Sequence, residues 1–226
     1  MITEAIPAWV IHKHWSGDTS ARVIFFTESF GLVSALYKGG RTPKKQALVQ
    51  AFLPLWLIMN VHKDAYYVRQ LDMMASPMPL TGRTLFAGLY VNELLYHALK
   101  PLDPHPSLYV AYTETLKELQ LDSNRLSMER VLRRFEWVLL SSCGYHLSFT
   151  HDATMQNPIL SDRTYRFIAG EGFVLSDEGI SGAHILAIAE DRLDDVSVLL
   201  AAKRIMRCAI FHAVDGKEFK ARALYG

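Results

Sequence analysis

Cysteine is scarce in this chain: only Cys143 and Cys208 occur, far apart and each inside an apolar stretch of helical periodicity. That count excludes a disulfide framework and a four-thiolate metal site, and it reads both residues as small buried hydrophobes. Long apolar runs are missing too. None reaches the roughly 18 residues that span a bilayer, and the N-terminus lacks the charged-then-apolar order of a secretory signal. A cytosolic protein without membrane attachment is therefore expected. No Walker loop, Gly-x-Gly-x-x-Gly, Gly-x-Ser-x-Gly or His-Glu-x-x-His is present, so no motif argues for an enzyme, and neither cofactor nor metal is expected.

Acid is missing from one stretch in particular. From Ser29 to Lys63 there are five cationic residues (Lys38, Arg41, Lys44, Lys45 and Lys63) and no Asp or Glu. The net charge of +1 hides this asymmetry, because residues 1–78 carry eight Lys or Arg against five Asp or Glu, whereas residues 79–226 carry sixteen against eighteen. A local excess of cations favours a polyanion. Its centre is Tyr37-Lys38-Gly39-Gly40-Arg41-Thr42-Pro43-Lys44-Lys45. The two glycines permit close approach of a sugar-phosphate chain, and Pro43 keeps the loop out of the flanking ladder. Charge alone suits a solvated hairpin tip equally well.

With 226 residues, half of them hydrophobic, the chain has material for one large domain or two small ones. Period-two, β-rich patterning fills the first third in five runs: Ala8 to Trp15, Arg22 to Glu28, Leu32 to Lys38, Leu53 to Val61 and Tyr66 to Met73. One helical turn is expected near Gln46 to Val49, between the third and fourth runs. Five such strands suit a small closed barrel of the OB type, which binds single-stranded nucleic acid on one face. Arg22, Lys13 and Arg69 extend the cationic set, and Tyr66, Tyr67 and Trp9 are stacking candidates. For any one aromatic, however, burial in the core is the commoner fate.

Ser76-Pro77-Met78-Pro79 ends the β pattern and marks the expected domain boundary at residue 78. Helices follow from Thr81 or Gly82 to about Leu99, from Pro106 to about Leu119, and from Met128 to Cys143 behind a Ser127 cap. A hairpin is expected over Thr164 to Ile168 and Phe173 to Leu175. A short helix capped by Ser181 and a last one from Val196 to Val214 complete the chain. The fold class is thus α+β: a five-stranded barrel over 1–78, then a mostly helical domain over 79–226 with a small hairpin insertion.

Glu190, Asp191, Asp194 and Asp195 are the nearest approach to an acid/base or metal cluster. Acids at the start of a helix also complement its dipole, which explains them more cheaply. His12 and His14 share a strand face but lack a third ligand. Cations recur on two helices, as Arg130, Arg133 and Arg134 and as Lys203, Arg204 and Arg207. They suit either a solvated edge with pairs such as Arg133 to Glu129, or the rim of an apolar groove for an acidic peptide ending in a hydrophobic residue.

The ordered set of segments resembles the bacterial recombination mediator family RecO. It includes Trp9-Val10-Ile11-His12, Phe25-Phe26-Thr27-Glu28, Lys38-Gly39-Gly40-Arg41, Gln50-Ala51-Phe52-Leu53-Pro54-Leu55 and Pro79-Leu80-Thr81-Gly82. Further on come Ala87-Gly88-Leu89-Tyr90-Val91-Asn92-Glu93, Leu132-Arg133-Arg134-Phe135-Glu136, Ala201-Ala202-Lys203-Arg204 and Gly216-Lys217-Glu218-Phe219. The resemblance spans nearly the whole chain. It implies a non-enzymatic DNA repair and recombination protein, bacterial, cytoplasmic and nucleoid-associated. Such a protein binds single- and double-stranded DNA and anneals complementary strands. With RecR it helps to load RecA onto strands coated by single-strand-binding protein, whose C-terminal tail it contacts.

Lys38, Gly39, Gly40, Arg41, Lys44, Lys45, Arg22, Lys13 and Arg69 are the expected DNA-binding set. Arg130, Arg133, Arg134, Lys203, Arg204 and Arg207 are the expected peptide-binding set. Many relatives carry a four-cysteine zinc module where this chain has residues 148–175 without cysteine, so a metal-free version is expected. The chain stops at Ala223-Leu224-Tyr225-Gly226 where some relatives continue, and no role of a basic tail is carried over. Without the resemblance, a generic OB-fold RNA-binding or regulatory module fits the same residues.

Overall fold

The computed structural model describes residues 4–221; the C-terminal segment 223–226 lies outside the described residues. The first third forms five strands, β1 (Ile6–Ser16), β2 (Ser20–Thr27), β3 (Gly31–Tyr37), β4 (Leu55–His62) and β5 (Ala65–Met73). They close into a barrel in the order β1-β2-β3-β5-β4, with β3 and β5 parallel and β4 returning to β1. Alternation explains the closure. Ala8, Val10, Val23, Phe25, Val33, Ala35, Leu57 and Met59 point to one shared interior, while their neighbours face outward. A single turn, α1 (Pro43–Gln46), starts three residues earlier than expected because Pro43 supplies a preset φ at its first position. The segment after it sends Val49 and Leu53 into the same interior.

Two helices, α2 (Gly82–Ala98) and α3 (Pro106–Leu121), belong to the same compact unit as the barrel, and Phe219 to Ala221 return to it. They cover part of the outer face of β1 and β2, at Trp9 and Phe26. Trp9 meets Tyr112 edge-on at 5.7 Å, and Phe26 lies 5.4 Å from Tyr109 and 5.7 Å from Tyr112. The Tyr112 hydroxyl donates to Asn92 Oδ1 at 2.8 Å, so the buried phenol is satisfied. Trp9 is therefore a core residue, 3% exposed, and not a stacking surface. Gly31 is required where β3 meets this layer: its φ is +62°, and a Cβ there would lie 2.0 Å from the Asp103 carbonyl oxygen.

The same packing sets an alkaline limit. Burial is the main cause that pushes the Tyr109 phenol up to about 12, and it pushes Tyr112 further in the same direction. Phenols of the unfolded chain ionise near 10, so the unfolded state loses protons first as pH rises. The contribution is complete below about pH 10 and is lost as pH climbs through about 12. Urea midpoints are expected to fall steeply above pH 10, and Tyr109→Phe to flatten that fall.

The second unit, Asp122–Glu218, contains α4 (Arg125–Ser142), the strands β6 (Thr164–Ile168), β7 (Gly172–Leu175) and β8 (Ile180–Ser181), and α5 (Gly182–Ala189) and α6 (Val196–Ala213). The expected hairpin gains a third strand, in the order β7-β6-β8. The cap of α4 is Asn124, whose side chain accepts from Leu126 N at 2.9 Å, and not Ser127. Residues 148–175 are organised by aromatic packing and one Asx turn. Phe149 lies 4.7 Å from Trp137 and 5.7 Å from Phe173. Asp152 accepts from Thr154 Oγ1 at 2.6 Å and from Asn157 Nδ2 at 2.8 Å, which pulls its carboxyl down to about 2. Neither cysteine is a buried hydrophobe: Cys143 is half-buried and Cys208 is exposed.

Candidate nucleic-acid interface

One end of the barrel is built by the β1–β2 turn and the loop from β3 into α1. The loop is stitched to itself and to the turn by Gly40 N donating to Tyr37 O (3.1 Å), Arg41 N to Thr19 O (3.1 Å) and Thr42 N to Gly39 O (3.0 Å). Gly39 takes the left-handed φ of +69° that this tight path needs. Gly40 is buried, and a Cβ there would lie 2.9 Å from Tyr37 O and 3.0 Å from the Ala21 Cβ. The missing side chain lets the loop close against β2.

The fixed backbone spreads its cations over aromatic faces. Lys38 Nζ is 5.5 Å above the Tyr67 ring, the Arg41 guanidinium 5.2 Å above Trp15, and Lys45 Nζ 4.9 Å above Tyr37. Lys45 also donates to Lys38 O at 2.8 Å. Lys38, Arg41 and Lys44 are exposed. Among the described residues, no carboxylate lies within ion-pairing distance of Lys38, Arg41, Lys44, Lys45, Lys13, Arg22 or Arg69. That leaves their charge uncompensated locally.

Strand register places the remaining candidates. His14, Arg22, Leu36, Tyr67 and Asn60 are paired in one row across β1, β2, β3, β5 and β4. This row lies on the outward side, with Lys38 above it at Tyr67. Arg69 is exposed two residues along β5 from Tyr67. Lys13 is different: it pairs with buried Val23, and its Nζ donates to Val49 O at 2.7 Å. Burial lowers its pKa. Its ammonium closes the end of the barrel and does not share the outward row. Tyr66 packs against the interior, so Tyr67 is the outward tyrosine of the pair.

The comparisons with known proteins agree along the whole chain. The family model described as "Recombination protein O N terminal" matches residues 1–77, and "Recombination protein O C terminal" matches residues 79–217. The chain is 52% identical to the DNA repair protein RecO of Legionella pneumophila strain Lens, over all of this chain and 99% of that protein. It is 35% identical to the RecO of Tolumonas auensis over 97% of this chain and 93% of that one, and 32% identical to that of Aliivibrio fischeri strain MJ11 over 96% and 93%. The chain belongs to the RecO family. With that membership comes a role in DNA repair.

In this chain the second cationic set is divided by its partners. Arg133 is 1% exposed and sits between Glu136 Oε1 at 2.7 Å and Glu129 Oε2 at 3.4 Å. Lys203 joins α6 to the same Glu129 at 2.6 Å. Arg130 pairs with Asp194, and Arg134 with Asp191 at 2.8 Å. Four of the six are thus held by carboxylates of their own unit. Arg204 and Arg207 remain exposed and without a carboxylate partner among the described residues. On α6 they lie between Leu200 and Phe211, which are 62% and 56% exposed, at spacings that align all four in one stripe.

The acids that drew attention as a catalytic cluster have structural work. Asp191 and Asp194 hold Arg134 and Arg130, Glu190 pairs with Arg192 at 2.6 Å, and Asp195 caps α6 by accepting from Ser197 N at 2.7 Å. Among the described residues, none of these four joins a metal-ligating group of three. His12 and His14 face outward with rings 6.3 Å apart, and His12 rests 4.9 Å from Tyr96.

Proposed function

We propose that this chain is a non-enzymatic mediator that binds single- and double-stranded DNA through the Lys38 to Lys45 loop and the adjoining outward row. It anneals complementary strands and, with RecR, helps to load RecA onto strands coated by single-strand-binding protein. The observation that carries this reading is the cationic end of the barrel, where none of the described carboxylates lies within ion-pairing distance. Neutralising the phosphates of one strand lowers its repulsion toward a second, which favours annealing without nucleotide hydrolysis. In this reading residues 1–78 carry the nucleic acid, and the protein works in the bacterial cytoplasm at the nucleoid. No helix among the described residues is long and apolar enough to cross a membrane.

Recruitment is assigned to the second unit. The stripe of Leu200, Arg204, Arg207 and Phe211 suits an acidic tail that ends in an apolar residue and a free carboxylate, the chemistry expected of the strand-coating protein's C-terminus. Two weak attachments on one chain raise local concentration, so placement on coated DNA does not require tight DNA binding.

Annealing of precoated complementary strands, with the coating protein's tail present or deleted, tests the combination. Annealing should depend on the tail. Reversing Arg204 and Arg207 to Glu should weaken binding of the tail peptide by about tenfold or more, a size expected for losing charge-assisted contacts, while naked-DNA affinity stays within twofold. Loss of DNA binding in that variant would refute the peptide assignment. Tighter binding to RNA than to DNA at matched salt would favour an RNA-binding module instead.

A further inference from the structure

Trp15 is a large apolar ring left 44% exposed beside the basic loop. An indole of that size normally lies in a core. Trp15 instead ends β1 opposite Ala21, with the Lys13 ammonium 5.9 Å and the Arg41 guanidinium 5.2 Å from its ring centre. The two cations differ in freedom. Lys13 is anchored to Val49 O, whereas the Arg41 side chain is exposed and only its backbone is pinned, through Thr19 O.

We propose that Trp15 is a stacking site for one unpaired nucleobase, reached when the Arg41 side chain leaves the indole for a neighbouring phosphate. The proposal deepens the nucleic-acid reading above and rests on it. The exchange is favourable because an exposed cation over an aromatic ring is held more weakly than a base stacked on one, and Arg41 regains a charged partner in the phosphate. A duplex offers no free base face, since its bases already stack on one another. The site therefore adds affinity for single strands only, whereas the loop's cations act on both forms. The other exposed tryptophan, Trp56, pairs in register with Asp72, an acid that disfavours a phosphate chain. Trp15 is accordingly the indole placed for this task.

The test uses the full chain, an oligo(dT) strand, an abasic strand of the same length and a mixed-sequence duplex, with Trp15→Leu and Trp15→Phe. Wild type should bind oligo(dT) about tenfold more tightly than the abasic strand, the order expected for one stacked base. Trp15→Leu should erase that difference, leave duplex affinity and the salt slope unchanged, and be largely rescued by Trp15→Phe. Equal binding of oligo(dT) and abasic strands by wild type overturns the proposal without needing any variant to fold. So does a parallel loss on duplex in Trp15→Leu. A wild type whose binding to every probe ignores salt would defeat the underlying nucleic-acid reading and the stacking site with it, a result distinct from the first two.

Discussion

Replacing Lys38, Arg41, Lys44 and Lys45 together by alanine should lower the slope of log affinity against log salt on single-stranded DNA by about two to three units. Each phosphate neutralised on a single strand contributes about 0.7 to that slope. Four full contacts would give about 2.8, and the lower end of the range applies because Lys45 is already held by Lys38 O and lies over Tyr37. Between 50 and 200 mM salt, such a slope corresponds to about a thirtyfold change in affinity that the variant should no longer show. The fold should survive, because these side chains are exposed or half-exposed and cap no helix. Lys44→Ala alone should remove roughly one contact. Salt titration by fluorescence anisotropy checks both, and an unchanged slope in the fourfold variant would place the phosphates elsewhere.

Arg133→Met should destabilise the second unit by about 3–5 kcal/mol, the usual cost of removing one partner from a buried ion pair. Arg133 and Glu136 are each 1% exposed and Glu129 is 5% exposed. Without the guanidinium, buried Glu136 loses its 2.7 Å ion pair with Arg133, whereas Glu129 keeps Lys203 at 2.6 Å. Changing Glu136→Leu in the same chain should recover part of the loss, because a buried ion pair replaced on both sides costs less than one left with a single partner. Urea denaturation at constant m reads the effect. A loss below about 1 kcal/mol would mean that the network behaves as an exposed pair.

The barrel was legible because its strands are short, β-rich and largely alternating between turn residues, and each observed strand lies within two residues of the expected run. Charge also marked the candidate site, since the acid-free stretch is a property of the chain itself. What could not be read was tertiary. Arg133 and Arg134 are adjacent and chemically identical, yet one faces the core of its unit and the other meets Asp191, a residue 57 positions away. No local pattern separates them, although Glu129 and Glu136 at helical spacing from Arg133 were a usable hint. The close packing of Gly40 against Ala21 could not be read either, because a buried glycine and an exposed one look alike before β2 is placed. Trp15 reads in the sequence only as the end of the first strand run, and the register with Ala21 is what shows its ring at the basic end. The shift of the α4 cap from Ser127 to Asn124 came from two good capping residues three positions apart. Strand end and compact unit also differ: β5 stops at Met73, but α2 and α3 complete the core that covers Trp9 and Phe26.

The central claim is that cations at one end of the barrel cancel phosphate charge so that two strands can meet. Its most direct test is the annealing rate of naked complementary strands without nucleotide, wild type against the fourfold loop variant, across a salt series. Wild type should accelerate annealing at low salt and lose that advantage as salt rises, while the variant matches the uncatalysed rate throughout. Acceleration by the variant equal to that of wild type would contradict the claim.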